Sequence, residues 1–584
     1  MARGFATVQA MQLRGRRALL ALVILAGLLV HASCLSWGFY ADDYAHQLVL
    51  HGAEHPSLKP WNLYDFGAFP QPGSADWERG SFPWWTAPDW KVRFLRPLAS
   101  CSLWLDHALF GDRALGYHAT GLVLFALLLW ASHGLYRAWG LAPGAALLAT
   151  LFVAVEDGGT IPVGWIANRN SLVEALFVVL AVLVVARAKR ASAATVMLAF
   201  ALALGAALSK ESGVVAFPLV ALSLFARTDE TPARLKLAAA GASVACALGY
   251  VALLVGAEYG AHSAFYPTPW GEPAAFVRGL VLLLGTAPPA MASPFPPDVF
   301  WIAPELAQAA VWGSLVLIPV YFTGAASVAL RLPRATPFLL WTLATLAPQG
   351  GAPLSDRLLL VPMIGFAPLL ALAVTRGRAA GGWRRVGAWV LFALAGPLSA
   401  LSCFGRGVQF TEISARLRAV VLEAEVGAPE LGQRDVFVLN SPSAVATLMP
   451  LPTWVRETGD EGVRFWLLQL GKRELTWTRT GASTFELRSE GAAFLTGPVE
   501  AVFLGEPPRS LAGRSWETSL FRVEALEAEP QGLRSVRFTL SSDLDRPGVR
   551  FLAWDGERLA RVATPAVGES VRVPAAEPLQ PFFP

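Results

Sequence analysis

Charged side chains are scarce in this sequence. Asp, Glu, Lys and Arg make up 15% of its 584 residues, where a soluble domain carries about a quarter. That scarcity excludes a water-facing surface along most of the chain, and with 54% hydrophobic residues it implies a polytopic α-helical membrane protein. Cysteine is rarer still. Cys34, Cys101, Cys246 and Cys403 lie in or beside apolar stretches with no CxxC or Cys/His spacing, so they read as small hydrophobic side chains and not as metal ligands. Cys34 and Cys101 would pair only if both faced an oxidising compartment. There is no basic stripe interleaved with aromatics, so no nucleic-acid partner is expected. No period of about 34 residues follows the last apolar segment, and no internal repeat of the transporter kind is evident.

What is present is a series of apolar runs long enough to cross a bilayer. They fall near 18–37, 117–138, 142–156, 171–187, 193–208, 212–226, 236–256, 304–330, 336–348, 357–375 and 385–403. The shorter ones need interfacial or protein-lined stretches to complete them. A further run near 276–291 carries Pro288 and Pro289 and leads into Pro294, Pro296 and Pro297, which predicts a re-entrant or surface-lying segment. Arg14, Arg16 and Arg17 ahead of the first run look like the start of a signal peptide. The run from Ala18 to Trp37 is nonetheless long enough to remain as an anchor, and His31 stands where a lipoprotein signal requires an aliphatic residue. If the eleven runs alternate, the loops bearing Arg137, Arg187 to Arg190, Arg227 to Lys236, Arg331 to Arg334 and Arg376 to Arg385 are all cytoplasmic. The amino terminus is then cytoplasmic and the carboxyl terminus extracytoplasmic. The Ala/Arg/Gly/Pro-rich composition points to a bacterial inner, that is plasma, membrane.

The same alternation places six polar clusters on the outer side: Asp42-Asp43, Arg93 to Arg96, Glu156-Asp157, Asn168-Arg169-Asn170, Lys210-Glu211 and Asp356-Arg357. Most have a bland reading beside the functional one. Lys210-Glu211 suits a solvated turn, Glu156-Asp157 before two glycines suits another, and Arg169 and Arg357 suit snorkelling anchors. Asp42-Asp43 is harder to dismiss, because adjacent like charges repel and gain no evident structure. The outer segment 37–116 is far longer than a connection needs and carries Trp61, Tyr64, Phe66, Phe69, Trp77, Trp84, Trp85 and Trp90. These aromatics suit an interfacial belt, the default, or a stacking surface for sugar rings. His51 and His55 would offer two metal ligands on one helix face, but no third is evident, which favours surface histidines.

The motifs also follow an order. Gly38-Phe-Tyr-Ala-Asp42-Asp43 is followed by Leu95-Arg96-Pro97-Leu98, by Leu109 to His118 opening an apolar run, by Val163 to Phe177 around Arg169, by Leu208-Ser-Lys210-Glu211-Ser-Gly213, and by Ser355 to Phe366 around Asp356-Arg357. This series, over roughly residues 18–375, resembles the GT-C superfamily of polyprenyl-phosphate-dependent glycosyltransferases. Within it, the likeness is to the transmembrane tetratricopeptide-repeat O-mannosyltransferases and their bacterial relatives. The chain departs from them at Glu156-Asp157, where they usually carry His-Pro, and at Asp356-Arg357-Leu358, where they carry Glu-Arg-Tyr.

The resemblance implies transfer of a sugar from a polyprenyl-phosphate donor to an acceptor hydroxyl on the extracytoplasmic face, with inversion at the anomeric carbon. Asp42 would be the general base, with Asp43 orienting it, binding the acceptor or helping to hold a divalent cation. No cofactor is otherwise demanded. Arg357 and Arg169, then Lys210 and Arg96, are the candidates for receiving the departing lipid phosphate. His118, Glu156, Asp157, Glu211 and Asp356 are further candidates. The acceptor is left open among protein, lipid and glycan. A lipid or sugar transporter and a catalytically inactive envelope scaffold are the competing readings.

After 404 no further spanning run occurs. Alternating segments predict strands at 435–442, 464–470, 474–480, 485–489, 536–541 and 549–554, the last closed by a two-residue Asp555-Gly556 hairpin turn. The expected organisation is a transmembrane domain over 1–403, including the outer loop 37–116, and a strand-rich α/β extracytoplasmic domain over 404–584. One βα unit would precede antiparallel strands, with an acceptor-binding or architectural role.

Overall fold

In a bilayer core no water bonds the backbone, so an apolar run must satisfy its own N–H and C=O groups, and the α-helix does so. The structure, a computed structural model, describes residues 2–577 except 56, 70–74, 228, 230, 303, 444, 445, 448, 449, 472, 498, 506–510, 512 and 531; the side chains of 2–14, Arg14 among them, and of 75, 76, 301, 302, 304, 305 and 329 also lie outside the described residues. Among the described residues eight helices are long and apolar enough to cross a membrane: Gly15–Ser36, Ala114–Ala138, Ile166–Arg187, Ala233–Gly256, Pro273–Ala292, Leu306–Val328, Leu360–Ala380 and Gly382–Leu422. The 25 residues of Ala114–Ala138 extend ~37 Å, more than the roughly 30 Å hydrocarbon core. A ninth candidate is a broken pair, Pro143–Val155 and Asp157–Gly164, bent by 55°. The runs expected at 193–208, 212–226 and 336–348 form the shorter helices Ala193–Ala207, Glu211–Phe225 and Thr336–Leu346.

The run near 276–291 forms a helix that is long and apolar enough to cross a membrane by length and composition. Pro273–Ala292 is one continuous helix with Pro288 and Pro289 inside it. A proline pair one turn from the helix end frees only the carbonyls of Leu284 and Gly285. At Gly285 the next long helix packs so closely that a Cβ would lie 2.0 Å from Ser314 Oγ. Protein, and not lipid, therefore covers the weakened turn.

The chain folds as two compact units, and the structure draws the division differently from a cut at 404. The first comprises Met1–Trp37, Phe94–Tyr259 and Thr268–Thr411; the second comprises Gly38–Arg93, Gly260–Pro267 and Glu412–Pro584. In the first unit, alanine-rich helices such as Ala193–Ala207 let backbones approach closely. Ser192 caps that helix, its Oγ accepting from the Thr195 N–H at 3.2 Å. Buried polar tips reach helix carbonyls: the Tyr136 hydroxyl donates at 2.8 Å to Ile364 O, which Pro368 leaves without its helical partner, and Trp341 Nε1 donates to Val361 O at 2.9 Å.

The second unit contains three sheets. A four-stranded sheet runs in the order Leu559–Val562, Val549–Trp554, Arg434–Val438, Val463–Leu467, the last three mutually parallel in adjacent pairs. Helix Pro450–Thr458 joins the final pair and completes the expected βα unit. A six-stranded antiparallel sheet runs Ser570–Val573, Leu475–Arg479, Thr484–Ser489, Gly532–Leu540, Phe521–Glu529, Ser515–Glu517. Phe437, Trp477, Phe485, Phe538 and Phe551 form the aromatic core between them, with ring centroids 4.5–5.3 Å apart in successive contacts. The third sheet joins Asp65–Ala68, Lys91–Arg93 and Gly260–His262. The hairpin expected at Asp555-Gly556 has four connecting residues, 555–558, between Trp554 and Leu559. Asp555 Oδ1 accepts from the N–H groups of Glu557 and Arg558 at 2.8 and 2.9 Å, an Asx turn, and the Asp555 N–H donates to Arg558 O at 3.1 Å across Gly556-Glu557.

The aromatics of the outer segment are neither a belt nor, at Trp77, Trp84, Trp85 and Trp90, an open sugar platform, because all four are buried in the second unit. Trp84, Trp85 and Trp90 donate their indole N–H groups to the carbonyls of Leu468, Glu500 and Val502 at 3.2, 3.3 and 2.8 Å. Trp61 stays exposed.

Candidate functional site

Four of the polar motifs singled out in the first unit sit where an α-helix is interrupted, and Arg96 stands just before helix Pro97–Phe110. Such irregular backbone is tolerated at membrane depth only where protein or a cavity surrounds it. Glu156 is the break in the bent pair, Ile166–Asn168 and Asp356–Leu358 are short 3₁₀ turns, and Lys210 lies between Ala193–Ala207 and the turn Glu211–Val215. These interruptions gather the charges into three groups.

The first group is a closed ion pair. Arg169 and Asp106 are both buried and directly paired, and Thr120 Oγ1 donates to Asp106 Oδ1 at 2.8 Å. Arg169 also donates to the Tyr117 carbonyl. Its charge is thus spent inside the protein, where removing either partner leaves an uncompensated buried ion. His118, one residue on from Tyr117, donates from Nε2 to the Trp37 carbonyl at 2.9 Å and ties this helix to the end of the first.

The second group is a basic nest. Arg96 holds Glu211 in a forked pair, Nη2 to Oε2 at 2.7 Å and Nε to Oε1 at 3.1 Å. Lys210 Nζ donates to Ser171 Oγ at 3.0 Å and lies 3.9 Å from Glu174 Oε2, while Ser212 Oγ donates to Glu174 Oε1 at 2.6 Å. Arg357 lies 5.9 Å above the Trp165 ring and, among the described residues, makes no ion pair. Burial lowers the Lys210 ammonium pKa, Glu174 raises it, and the nearby Arg96 and Arg357 lower it again, for a net fall. Three cations face two carboxylates, leaving one positive charge in excess for an anion.

The third group is an acidic nest around Arg406. Arg406 Nη1 reaches Asp157 Oδ2 at 2.8 Å and pairs with Asp356, Ser402 Oγ donates to Asp157 Oδ2 at 3.2 Å, and the Asp356 N–H donates to Asp298 Oδ2 at 3.2 Å. Glu156, Asp157 and Asp356 are all buried. Four carboxylates therefore share one guanidinium. Burial first, then Asp298 and Asp157, push the Asp356 carboxyl up to about 7 against the pull of Arg406. Gly158 makes this packing feasible: a Cβ there would lie 2.7 Å from Asp356 O and 3.0 Å from both Glu156 carboxylate oxygens.

In the second unit, Asp42 and Asp43 open helix Asp42–Leu50. Ala41 before them has φ 50° and ψ −124°, a conformation that costs an L-residue roughly 1–3 kcal/mol. Asp43 is buried and its Oδ2 accepts the Tyr40 N–H at 3.2 Å, bracing the strained entry, while Asp42 is half-buried. The buried Tyr44 phenol, its pKa raised chiefly by burial, lies beside the Arg418–Glu457 pair. Tyr40, Ala41, Tyr44, Arg418 and Thr453 line a narrow concavity at this helix start. Among the described residues no three His, Cys, Asp or Glu side chains converge as metal ligands. His55 Nδ1 instead accepts the N–H groups of Ser57 and Leu58 at 3.2 and 2.9 Å, and the helix ends at Leu50, so His51 and His55 do not share a helical face.

Lys210, Glu211, Arg96 and Arg357 are thus brought together, Glu156, Asp157 and Asp356 form a separate group, and Arg169 and His118 are held in other contacts. Sequence reasoning missed Arg406, Glu174, Asp106 and Asp298. Asp106 and Glu174 each had a signal, a lone acid inside an apolar helix.

No family model matches the chain, and no curated protein matches it. Solved structures do show similarity. The archaeal oligosaccharyltransferase AglB from Archaeoglobus fulgidus, in complex with an inhibitory peptide and a dolichol-phosphate, is 12% identical over 80% of this chain and 65% of that one, with TM-score 0.42. The apo form of the Archaeoglobus fulgidus oligosaccharyltransferase is 13% identical over 78% of this chain and 65% of that one, with TM-score 0.41. ArnT from Cupriavidus metallidurans bound to undecaprenyl phosphate is 13% identical over 76% of this chain and 85% of that one, with TM-score 0.38. The chain therefore spans less than two thirds of the length of the oligosaccharyltransferase it matches.

Proposed function

We propose that this protein transfers a sugar from a polyprenyl-phosphate donor to an acceptor hydroxyl on the extracytoplasmic face of the membrane. The observation that carries the reading is the basic nest. Arg96, Ser171, Lys210, Glu211 and Arg357 come from four separate motifs of the series that resembles GT-C enzymes, and they converge in one cationic neighbourhood. An ordinary structural network would balance its charges, as Arg169 and Asp106 do. This one keeps a cation in excess at helix breaks, where a lipid phosphate needs fixed donors.

In the reaction the acceptor oxygen attacks C1 of the sugar, its proton passes to Asp42, and the bond from C1 to the phosphate oxygen breaks. Charge then grows on the lipid phosphate, and Arg357 and Lys210 stabilise it. Asp43 braces the turn that presents Asp42. Inversion at C1 follows from a single displacement. No step in this scheme requires a metal, and Asp42 and Asp43 are the pair to which a divalent cation would be assigned if activity proves to depend on one.

The test is release of polyprenyl phosphate from a panel of undecaprenyl-phospho-sugars by the purified, reconstituted protein. Wild type is expected to turn over at least one donor in the presence of an acceptor extract, and Asp42→Asn to insert normally and release none. Transport of the donor without cleavage, unaffected by Asp42→Asn, would favour the transporter reading and sink this one.

A further inference from the structure

The loop between the last two long helices carries a charge that the sugar-transfer chemistry does not use. Arg376, Arg378, Arg384 and Arg385 surround it, all exposed, and the sequence has no Asp or Glu between Asp356 and Glu412. Among the described residues none of the four is ion-paired. Helices Leu360–Ala380 and Gly382–Leu422 are both of spanning length and meet at Gly381, so this tip lies at a membrane surface.

The tip is also built, and not merely basic. Gly381 and Gly382 have φ of 72° and 53°, which turn the chain within two residues. At Gly377 a Cβ would lie 2.9 Å from both Ala388 Cβ and Arg384 O, so the helices touch and the two pairs of arginines, one before the turn and one after, are held side by side. Arg378 lies 4.4 Å over the Trp389 ring and Arg384 lies 5.7 Å from the Trp383 ring. Trp383 is 79% exposed, the placement of an indole that sits among lipid headgroups. An aromatic face under a guanidinium orients its fork while leaving the outer N–H groups for a phosphate.

We infer that this tip binds the headgroup of an anionic phospholipid, with a two-phosphate headgroup preferred because the arginines form two pairs. The partner is the lipid itself and not a soluble phosphate, since the exposed Trp383, Val386 and Val390 beside the arginines suit acyl chains.

Native mass spectrometry of the full-length, delipidated protein titrated with cardiolipin, phosphatidylglycerol or phosphatidylcholine tests the inference. Cardiolipin should bind tightest and phosphatidylcholine least. R378Q/R384Q should weaken cardiolipin binding about 25-fold, at about 5-fold per arginine, while R378K/R384K keeps most of it. Should the glutamine variant fail to fold, raising salt on the wild type gives the same answer, because an electrostatic headgroup site weakens with ionic strength. Equal binding of phosphatidylcholine, unchanged binding in R378Q/R384Q or insensitivity to salt would overturn the inference. So would complete displacement of cardiolipin by equimolar inorganic pyrophosphate, which would mark a soluble-phosphate site.

Discussion

Asp356 and Arg357 are neighbours in sequence, yet one short turn sends them into neighbourhoods of opposite sign. Asp356 joins Glu156, Asp157 and Asp298 around a single guanidinium, whereas Arg357 joins Arg96 and Lys210 against two carboxylates. An anion entering the acidic nest would meet a surplus of three negative charges with every carboxylate ionised. Entering the basic nest it would meet one positive charge in excess. A charged dipeptide therefore need not act as one site, and under the proposed function only the basic nest suits a phosphate.

The largest test of this contrast lies with the proposed base. Asp42→Asn should lower sugar transfer by about 10²–10⁴-fold, the range for loss of a general base, with unchanged insertion. Next, Arg357→Gln should cost about 10²–10³-fold in rate with little change in Tm, since its guanidinium stabilises leaving-group charge in this account. Arg169→Gln should do the reverse in kind: a stability loss of about 3–5 kcal/mol from stranding Asp106, measured by thermal unfolding in detergent. If Arg357→Gln proves as destabilising as Arg169→Gln, the two arginines are equivalent and the basic nest is structural.

Smaller effects probe the acidic nest. Gly158→Ala should destabilise by about 1–3 kcal/mol, because its Cβ would press on Asp356 O and the Glu156 carboxylate. The raised Asp356 pKa fixes the sign of a pH effect. The folded state holds that proton more tightly than the unfolded state, so the contribution is full below about 4 and is lost as pH rises towards about 7. Tm should therefore fall across that window, and Asp356→Asn should flatten the slope. A slope of the same size in Asp356→Asn would place the titration elsewhere.

Much of the architecture was legible because period and length carry it. The long apolar runs became helices, and the alternation of 475–479, 484–489 and 549–554 marked strands correctly. The tryptophans were misread for a physical reason: an indole at a membrane surface and an indole in a core have the same local sequence, and the partners of Trp84 and Trp85 lie 384 and 415 residues away. Phe521–Glu529 escaped notice because only its first residues alternate cleanly between buried and exposed. Motif order singled out Arg96, Lys210, Glu211 and Arg357, which the fold brings together, but not that Arg169 would be closed off by Asp106. Arg406 lay beyond the expected end of the last span and gave no local sign of its role. The bracing of Asp43 by the Tyr40 N–H is likewise a property of the strained Ala41 turn and not of the Asp-Asp pair itself.

Under the proposed function a lipid phosphate is received by the basic nest and not by the acidic one. The most direct test is the affinity of the reconstituted protein for undecaprenyl phosphate, measured on wild type, Arg357→Gln and Asp356→Asn. Binding should weaken at least tenfold in Arg357→Gln and stay the same or tighten in Asp356→Asn. Unchanged binding in Arg357→Gln, or a loss in Asp356→Asn as large as that in Arg357→Gln, would contradict it.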